Sequence, residues 1–212
     1  MKRIAQIVPL FIGTLLFLSF TSDKGQKSLK IGAKAPMADV KMTGINAQDL
    51  SLNDVKLKNG LIVVFSCNTC PFVVGMDDFA GWEKDYNELH SLAKANEIGF
   101  VLVNSNEAKR SGDDSLEKME VKAKVANYTM PYLVDENSKL ANAFGAKTTP
   151  HVYYFDAEMK LVYIGSIDNS WDSKREKDEA YLKNAITQYQ LGKIETKESN
   201  PVGCSIKRVA LN

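Results

Sequence analysis

The sequence predicts a layered α/β sheet with helices on both faces, and three observations carry that expectation. The run Leu61-Ile62-Val63-Val64-Phe65 has no polar alternation, so it reads as a strand covered on both sides. A second such run occupies residues 98–104, and strand-like and helix-like stretches then alternate to about residue 191. At 212 residues, 44% hydrophobic and 25% charged, the chain has apolar material for one domain with a real core, plus ends. A net charge of +1, with acids and bases interspersed, provides no basic field for holding nucleic acid. There is no internal repeat and no low-complexity tract.

Residues 1–22 read as an export signal or N-terminal anchor. Lys2 and Arg3 precede the apolar run Ile4 to Phe20, and a polar segment follows. The run is shorter than the roughly 20 residues that span a bilayer comfortably, and Gln6 and Pro9 interrupt it. The expected protein is therefore exported and periplasmic, either soluble after cleavage near Thr21 or tethered to the membrane by residues 4–20. No cysteine lies there to take a lipid. In an oxidising compartment, three cysteines are too few for a disulfide scaffold and enough for one redox pair with a thiol left over.

The domain is expected over residues 28–191, followed by a tail over residues 192–212. Residues 28–60 open it with a turn and two short β candidates, around residues 38–42 and 50–52, which would form an edge hairpin. After the central strand, Phe72, Met76, Phe79, Trp82, Tyr86, Leu89 and Ala93 recur at helical spacing, with Gly75 and Gly81 weakening the first turns. His90 flanks that stripe as a boundary residue. Beyond the second buried strand, Asp114 or Ser115 can cap a helix running to about residue 127, with Leu116, Met119, Val121, Val125 and Tyr128 on its apolar side. A short strand over residues 132–134 and a short helix over 138–144, closed by Gly145, come next. Residues 153–156 and 161–165 read as an antiparallel hairpin, and residues 177–191 as a last helix with Ala180, Tyr181, Ile186 and Tyr189 facing in.

The chemistry is concentrated in Ser66-Cys67-Asn68-Thr69-Cys70-Pro71, at the carboxyl end of the central strand, where open α/β sheets place their sites. If residues 69–72 start the helix, Cys67 lies at its N-terminus, where free N–H groups lower a thiol pKa. Cys67 is then a nucleophile that attacks a partner's disulfide, and Cys70 resolves the mixed disulfide. A four-ligand zinc site lacks a second pair, because only Cys204, His90 and His151 remain, far apart in sequence. The second informative stretch is Lys147-Thr148-Thr149-Pro150-His151, where a proline before a strand can sit in a cis turn.

Strand, Cys-x-x-Cys, helix and, some eighty residues on, Thr149-Pro150, a hairpin and a closing helix together resemble the thioredoxin fold. The N-terminal hairpin and the additional strand and helix resemble its redoxin branch, near exported thiol–disulfide oxidoreductases and peroxiredoxin-like proteins. The resemblance implies a three-layer thioredoxin-like sandwich, attack by Cys67, resolution by Cys70, and a cis-Pro150 packed beside them. It also implies a groove in which the Thr149 backbone pairs with a bound peptide as an added strand. The partners implied are protein thiols or disulfides and a further redox partner, and no organic cofactor is needed because the cysteines carry the electrons.

Departures qualify the resemblance. Thioredoxins usually read Trp-Cys-Gly-Pro-Cys, whereas Ser66 and the Asn68-Thr69 pair stand here, and residues 61–65 lack the buried acid of thioredoxins. A peroxidase is the first alternative, yet the peroxiredoxin pattern Pro-x-x-x-Thr-x-x-Cys finds Val64 before Cys67 and Cys67 before Cys70. A second alternative is a thioredoxin-fold copper carrier, in which Cys67, Cys70 and His151 would hold Cu(I). The tail contains Gly203-Cys204-Ser205-Ile206-Lys207, similar to the ending of peroxiredoxin-like members of this branch. If it folds back, Cys204 becomes an accessory thiol.

Overall fold

The computed structural model describes residues 27–209, so the expected signal or anchor over residues 1–22 lies outside the described residues. Strands β1 (Met42–Thr43) and β2 (Asp49–Leu50) form the edge ribbon in antiparallel register. One-turn helix α1 (Leu52–Val55) follows, with Ser51 and Asp54 satisfying each other's backbone N–H groups in a capping box. Strand β3 (Leu61–Ser66) and one-turn helix α2 (Pro71–Val74) flank the two cysteines. Then come α3 (Tyr86–Ala95), β4 (Gly99–Asn104), α4 (Leu116–Val125), β5 (Tyr132–Val134) and α5 (Lys139–Phe144). The chain closes with β6 (Thr148–Thr149), β7 (His151–Phe155), β8 (Leu161–Gly165), α6 (Tyr181–Gln190) and, in the tail, β9 (Cys204–Ser205).

The main sheet has the order β5-β4-β3-β7-β8. Its β3, β4 and β5 run parallel, while β7 is antiparallel to both β3 and β8. The absence of alternation in residues 61–65 has its cause here: β3 is central, and all six of its residues are buried. Ile62 and Val64 enter one core with Trp82, Tyr86 and Leu89, and with Leu182, Ala185 and Ile186 of α6. Leu61, Val63 and Phe65 enter the other, with Leu52, Leu140 and Phe144. In that second core Phe144 packs edge-on against Phe65, Tyr153 and Phe155 at centroid distances of 5.5, 5.1 and 5.4 Å, contacts worth about 0.5–1.5 kcal/mol each beyond their burial.

Three helix expectations need correction. The apolar stripe from Phe72 to Ala93 is not one helix. It breaks into α2, a 3-10 turn (Trp82–Asp85) and α3, because Gly75 and Gly81 adopt φ of 108° and 74°. A Cβ on Gly81 would lie 2.4 Å from the Val73 carbonyl oxygen, so the doubling back of the chain requires glycine there. Helix α4 buries Met119 and Ala123, while Val121 and Val125 are exposed, and its N-cap is Ser115. Helix α6 starts at Tyr181, and Leu182, Ala185 and Ile186 are its buried residues, with Tyr181 and Tyr189 at the rim.

Candidate active site

Cys67 leaves the end of β3, and Cys70 caps α2 with its carbonyl receiving the Val73 and Val74 N–H groups. The helix therefore begins two residues later than the sequence suggests, and Cys70, not Cys67, stands at its N-terminus. Both thiols are free and nearly hidden, at 2% and 4% exposure. They converge on one residue. Cys67 Sγ lies 3.2 Å from the Thr149 hydroxyl, and Cys70 Sγ 3.1 Å from the Thr149 carbonyl oxygen. The Thr149–Pro150 bond is cis.

The loop between the cysteines is built on a polar cluster that the sequence reading leaves unassigned. Asp114 is fully buried. One of its carboxylate oxygens accepts the Asn68 N–H at 2.9 Å and the Asn104 amide at 2.7 Å, and the other accepts the Asn106 amide at 3.0 Å. Tyr132 donates to Asn68 Oδ1 at 3.0 Å, and Asn68 Nδ2 donates to the Asp113 carbonyl at 2.7 Å. Arg110 clamps the turn through the carbonyls of Asp114 and Asn104. Ser66, where thioredoxins carry tryptophan, shares a 3.0 Å hydrogen bond with Tyr86. The buried acid missing from the strand thus enters from the loop after β4. The one clue in sequence is Asn104-Ser105-Asn106, amides at the end of a fully apolar strand whose parallel register sets Asn104 beside Ser66.

Charge divides unequally between the two thiols. Cys70 is held down to about 5, chiefly by the hydrogen bond from Cys67 and then, against the cost of burial, by the thiol and N–H of Cys204 and the Thr149 hydroxyl. Cys67 is pushed up by that same bond, by burial and by the nearby Asp114 carboxylate. The two shifts belong to one interacting pair, in which one sulfur carries the charge and the other keeps the proton; Cys70 as the thiol donates to the Thr149 carbonyl, and the Cys204 N–H donates to Cys70 Sγ.

The tail supplies two of those donors. It folds back so that β9 pairs antiparallel with β6, Thr149 opposite Cys204 and Thr148 opposite Ser205. The Cys204 N–H points at Cys70 Sγ at 3.4 Å, and burial raises the Cys204 thiol to about 11. Ile206 is buried in the second core and donates its N–H to the Lys147 carbonyl at 3.0 Å. Lys207 N–H reaches Asn106 Oδ1 at 2.8 Å, and Arg208 Nε reaches Asn142 Oδ1 at 2.7 Å.

His151 is not brought to the thiols. It shares the face of Tyr153, which lies in the second core, whereas Cys67 and Cys70 lie in the first. Its ring packs 4.6 Å from Tyr153, and Nδ1 accepts the Lys147 N–H at 3.2 Å. Burial lowers it to about 3, so it is neutral. The Cu(I) triad of Cys67, Cys70 and His151 is overturned by this geometry, and among the described residues no group of three or more His, Cys, Asp or Glu is arranged around a metal site. His90 is partly exposed and pairs with the Thr129 hydroxyl at 2.8 Å, as suits a boundary residue.

A five-stranded sheet of this order, with two cysteines after its central strand and a cis Thr-Pro bond whose threonine both sulfurs touch, is the layout of a thioredoxin-like protein. The chain belongs to the Redoxin family, whose model matches residues 30–185. It is similar to an uncharacterized conserved protein of Geobacillus kaustophilus, with 29% identity, TM-score 0.76, and 86% of this chain and 94% of that one covered. A hypothetical protein of Sinorhizobium meliloti matches with 28% identity, TM-score 0.76 and coverage of 87% and 97%. The thioredoxin domain of a thiol-disulfide oxidoreductase from Bacteroides vulgatus shares the fold at 17% identity and TM-score 0.56, covering 76% of this chain and 99% of that domain. No curated protein sequence matches. Family and fold make this chain a thioredoxin-like redox protein.

Proposed function

We propose that the protein is an exported, periplasmic thiol–disulfide oxidoreductase working on protein substrates through a Cys67/Cys70 dithiol–disulfide cycle. The observation that carries the reading is the convergence of both sulfurs on Thr149 beside the cis Thr149–Pro150 bond. With the tail seated, the donors around Cys70 favour one thiolate in the pair. Transfer of the Cys67 proton to the Cys70 sulfur makes Cys67 the attacking thiolate. That thiolate bonds to one sulfur of a partner disulfide and expels the other as a thiolate. Cys70 gives its proton to that expelled thiolate and then attacks Cys67 Sγ, freeing the partner's second thiolate. The products are a Cys67–Cys70 disulfide and a reduced partner, two electrons having passed to the partner. The reverse sequence oxidises a partner by the same contacts. Thr149 and Pro150 shape the substrate groove, and Cys204 is an accessory thiol within reach of Cys70.

Trapping tests the cycle. Cys70→Ser is expected to accumulate a mixed disulfide with a disulfide-bonded protein through Cys67, and Cys67→Ser to lower insulin-disulfide reduction at least 100-fold. Trapping through Cys70 in Cys67→Ser alone would exchange the two roles, and unchanged reduction in both variants would end the reading.

A further inference from the structure

The backbone edge at Thr148–Thr149, to which an extended substrate would add as a strand, is already taken. Strand β9 fills it, with Cys204 directly opposite Thr149 and its N–H and thiol directed at Cys70. A strand edge pairs only once, so a substrate strand and β9 exclude each other. The occupant also has a shape. Gly203 passes so close to the edge that a Cβ there would lie 2.2 Å from the Thr149 carbonyl oxygen and 3.1 Å from the Pro150 nitrogen. Every larger residue at that place must push the strand away from the edge. The buried side chain of Ile206, backbone bonds to Lys147 and Ala108, and the bonds of Lys207 and Arg208 to Asn106 and Asn142 hold the strand down.

We propose that β9 is an internal image of the substrate: it closes the groove in the resting protein, and the partner is an extended protein segment that displaces it, with glycine at the place of Gly203. This rests on the thiol–disulfide reading for what happens after docking, but the docking itself needs no electron transfer. Both sulfurs are buried and the seated strand lies directly against Cys70, which makes its departure the step that admits a partner. Recognition then comes from main-chain pairing and from the tight approach at position 203, not from a side-chain pocket.

The test uses the full chain with the strand unseated in two independent ways. Ile206→Asp removes the buried anchor, and Gly203→Val lifts the strand off Thr149 without touching either core. The probe is a labelled synthetic peptide of residues 199–208 carrying Cys204→Ser, so that binding stays noncovalent. It is expected to bind both unseated variants at least tenfold more tightly than the wild type, and to lose at least tenfold when the peptide itself carries Gly203→Val. Equal binding to wild type and variants, or a peptide indifferent to Gly203→Val, would overturn the proposal. Insulin-disulfide reduction should rise at least tenfold in the unseated chains. If the peptide binds as expected while no chain exchanges with insulin, the dithiol cycle falls and the occupied groove stands.

Discussion

The Cys67–Cys70 loop and the Gly203–Arg208 tail meet at Thr149, and they are held in opposite ways. The loop is fastened from beneath by Asp114, Asn104 and Tyr132, all buried, with Asn68 bonded on its N–H, its amide nitrogen and its amide oxygen. The tail is held by a two-residue strand pairing, a few backbone bonds, the buried side chain of Ile206, the Arg208 bond to Asn142 and one bond from the Lys207 N–H to Asn106, at the edge of the loop's own polar cluster. Buried polar networks are costly to break because each partner left behind stays dry and unpaired, whereas a surface strand regains water when it leaves. The two sulfurs therefore sit on the more firmly held partner, and the strand against Cys70 on the more easily released one.

The sharpest way to break that contrast is Asp114→Ala. It strands the Asn68 N–H and two amide groups, and should lower the stability of the whole domain by about 2–4 kcal/mol in urea unfolding. Ile206→Asp should leave the global transition nearly in place while amide exchange in residues 203–208 accelerates; a common loss in both variants would show loop and tail to be one cooperative unit.

A smaller effect is expected in the thiolate titration. In the wild type one thiolate should persist down to about pH 5, set by Cys70. Removing the tail's donors destabilises the charged form, so in Ile206→Asp the midpoint should climb by about one pH unit, followed by far-ultraviolet thiolate absorbance. A midpoint that stays or falls would show that the tail does not hold Cys70 charged.

The smallest effect should come from His151→Leu. His151 Nδ1 accepts the Lys147 N–H, and the Lys147 carbonyl accepts Ile206, so loss of the acceptor loosens the tail's edge at one remove. A few-fold faster exchange of the Ile206 amide, with the cysteines' reactivity order unchanged, is the expected result. Exchange unchanged would mean that the edge holds its shape without His151.

What could be read in the sequence follows from how local its physical cause is. Residues 61–65 and 98–104 announce buried strands because burial on both faces removes polar residues outright, and the paired cysteines stand where such a strand ends. The break after α2 was marked only by Gly75 and Gly81, whose positive φ values depend on how the chain packs back on itself. Asp114 reads as a helix cap because caps are local, but its partner Asn68 lies 46 residues away and only the parallel register of β3 and β4 brings the two segments together. His151 next to Pro150 suggests proximity to the thiols along the chain. Strand alternation sends it to the opposite face, with Tyr153.

Being part of the same chain, the Gly203–Cys204–Ser205 segment is a tethered ligand. Short tethers hold a ligand at an effective concentration on the order of millimolar, whatever the protein's own dilution. A free peptide at micromolar concentration with the same intrinsic affinity would occupy the groove only about one thousandth as often. A partner of the proposed kind would therefore need a second foothold elsewhere on the surface, or would first have to draw the tail away, and its selectivity would be set by competition inside the molecule before any sulfur reacts.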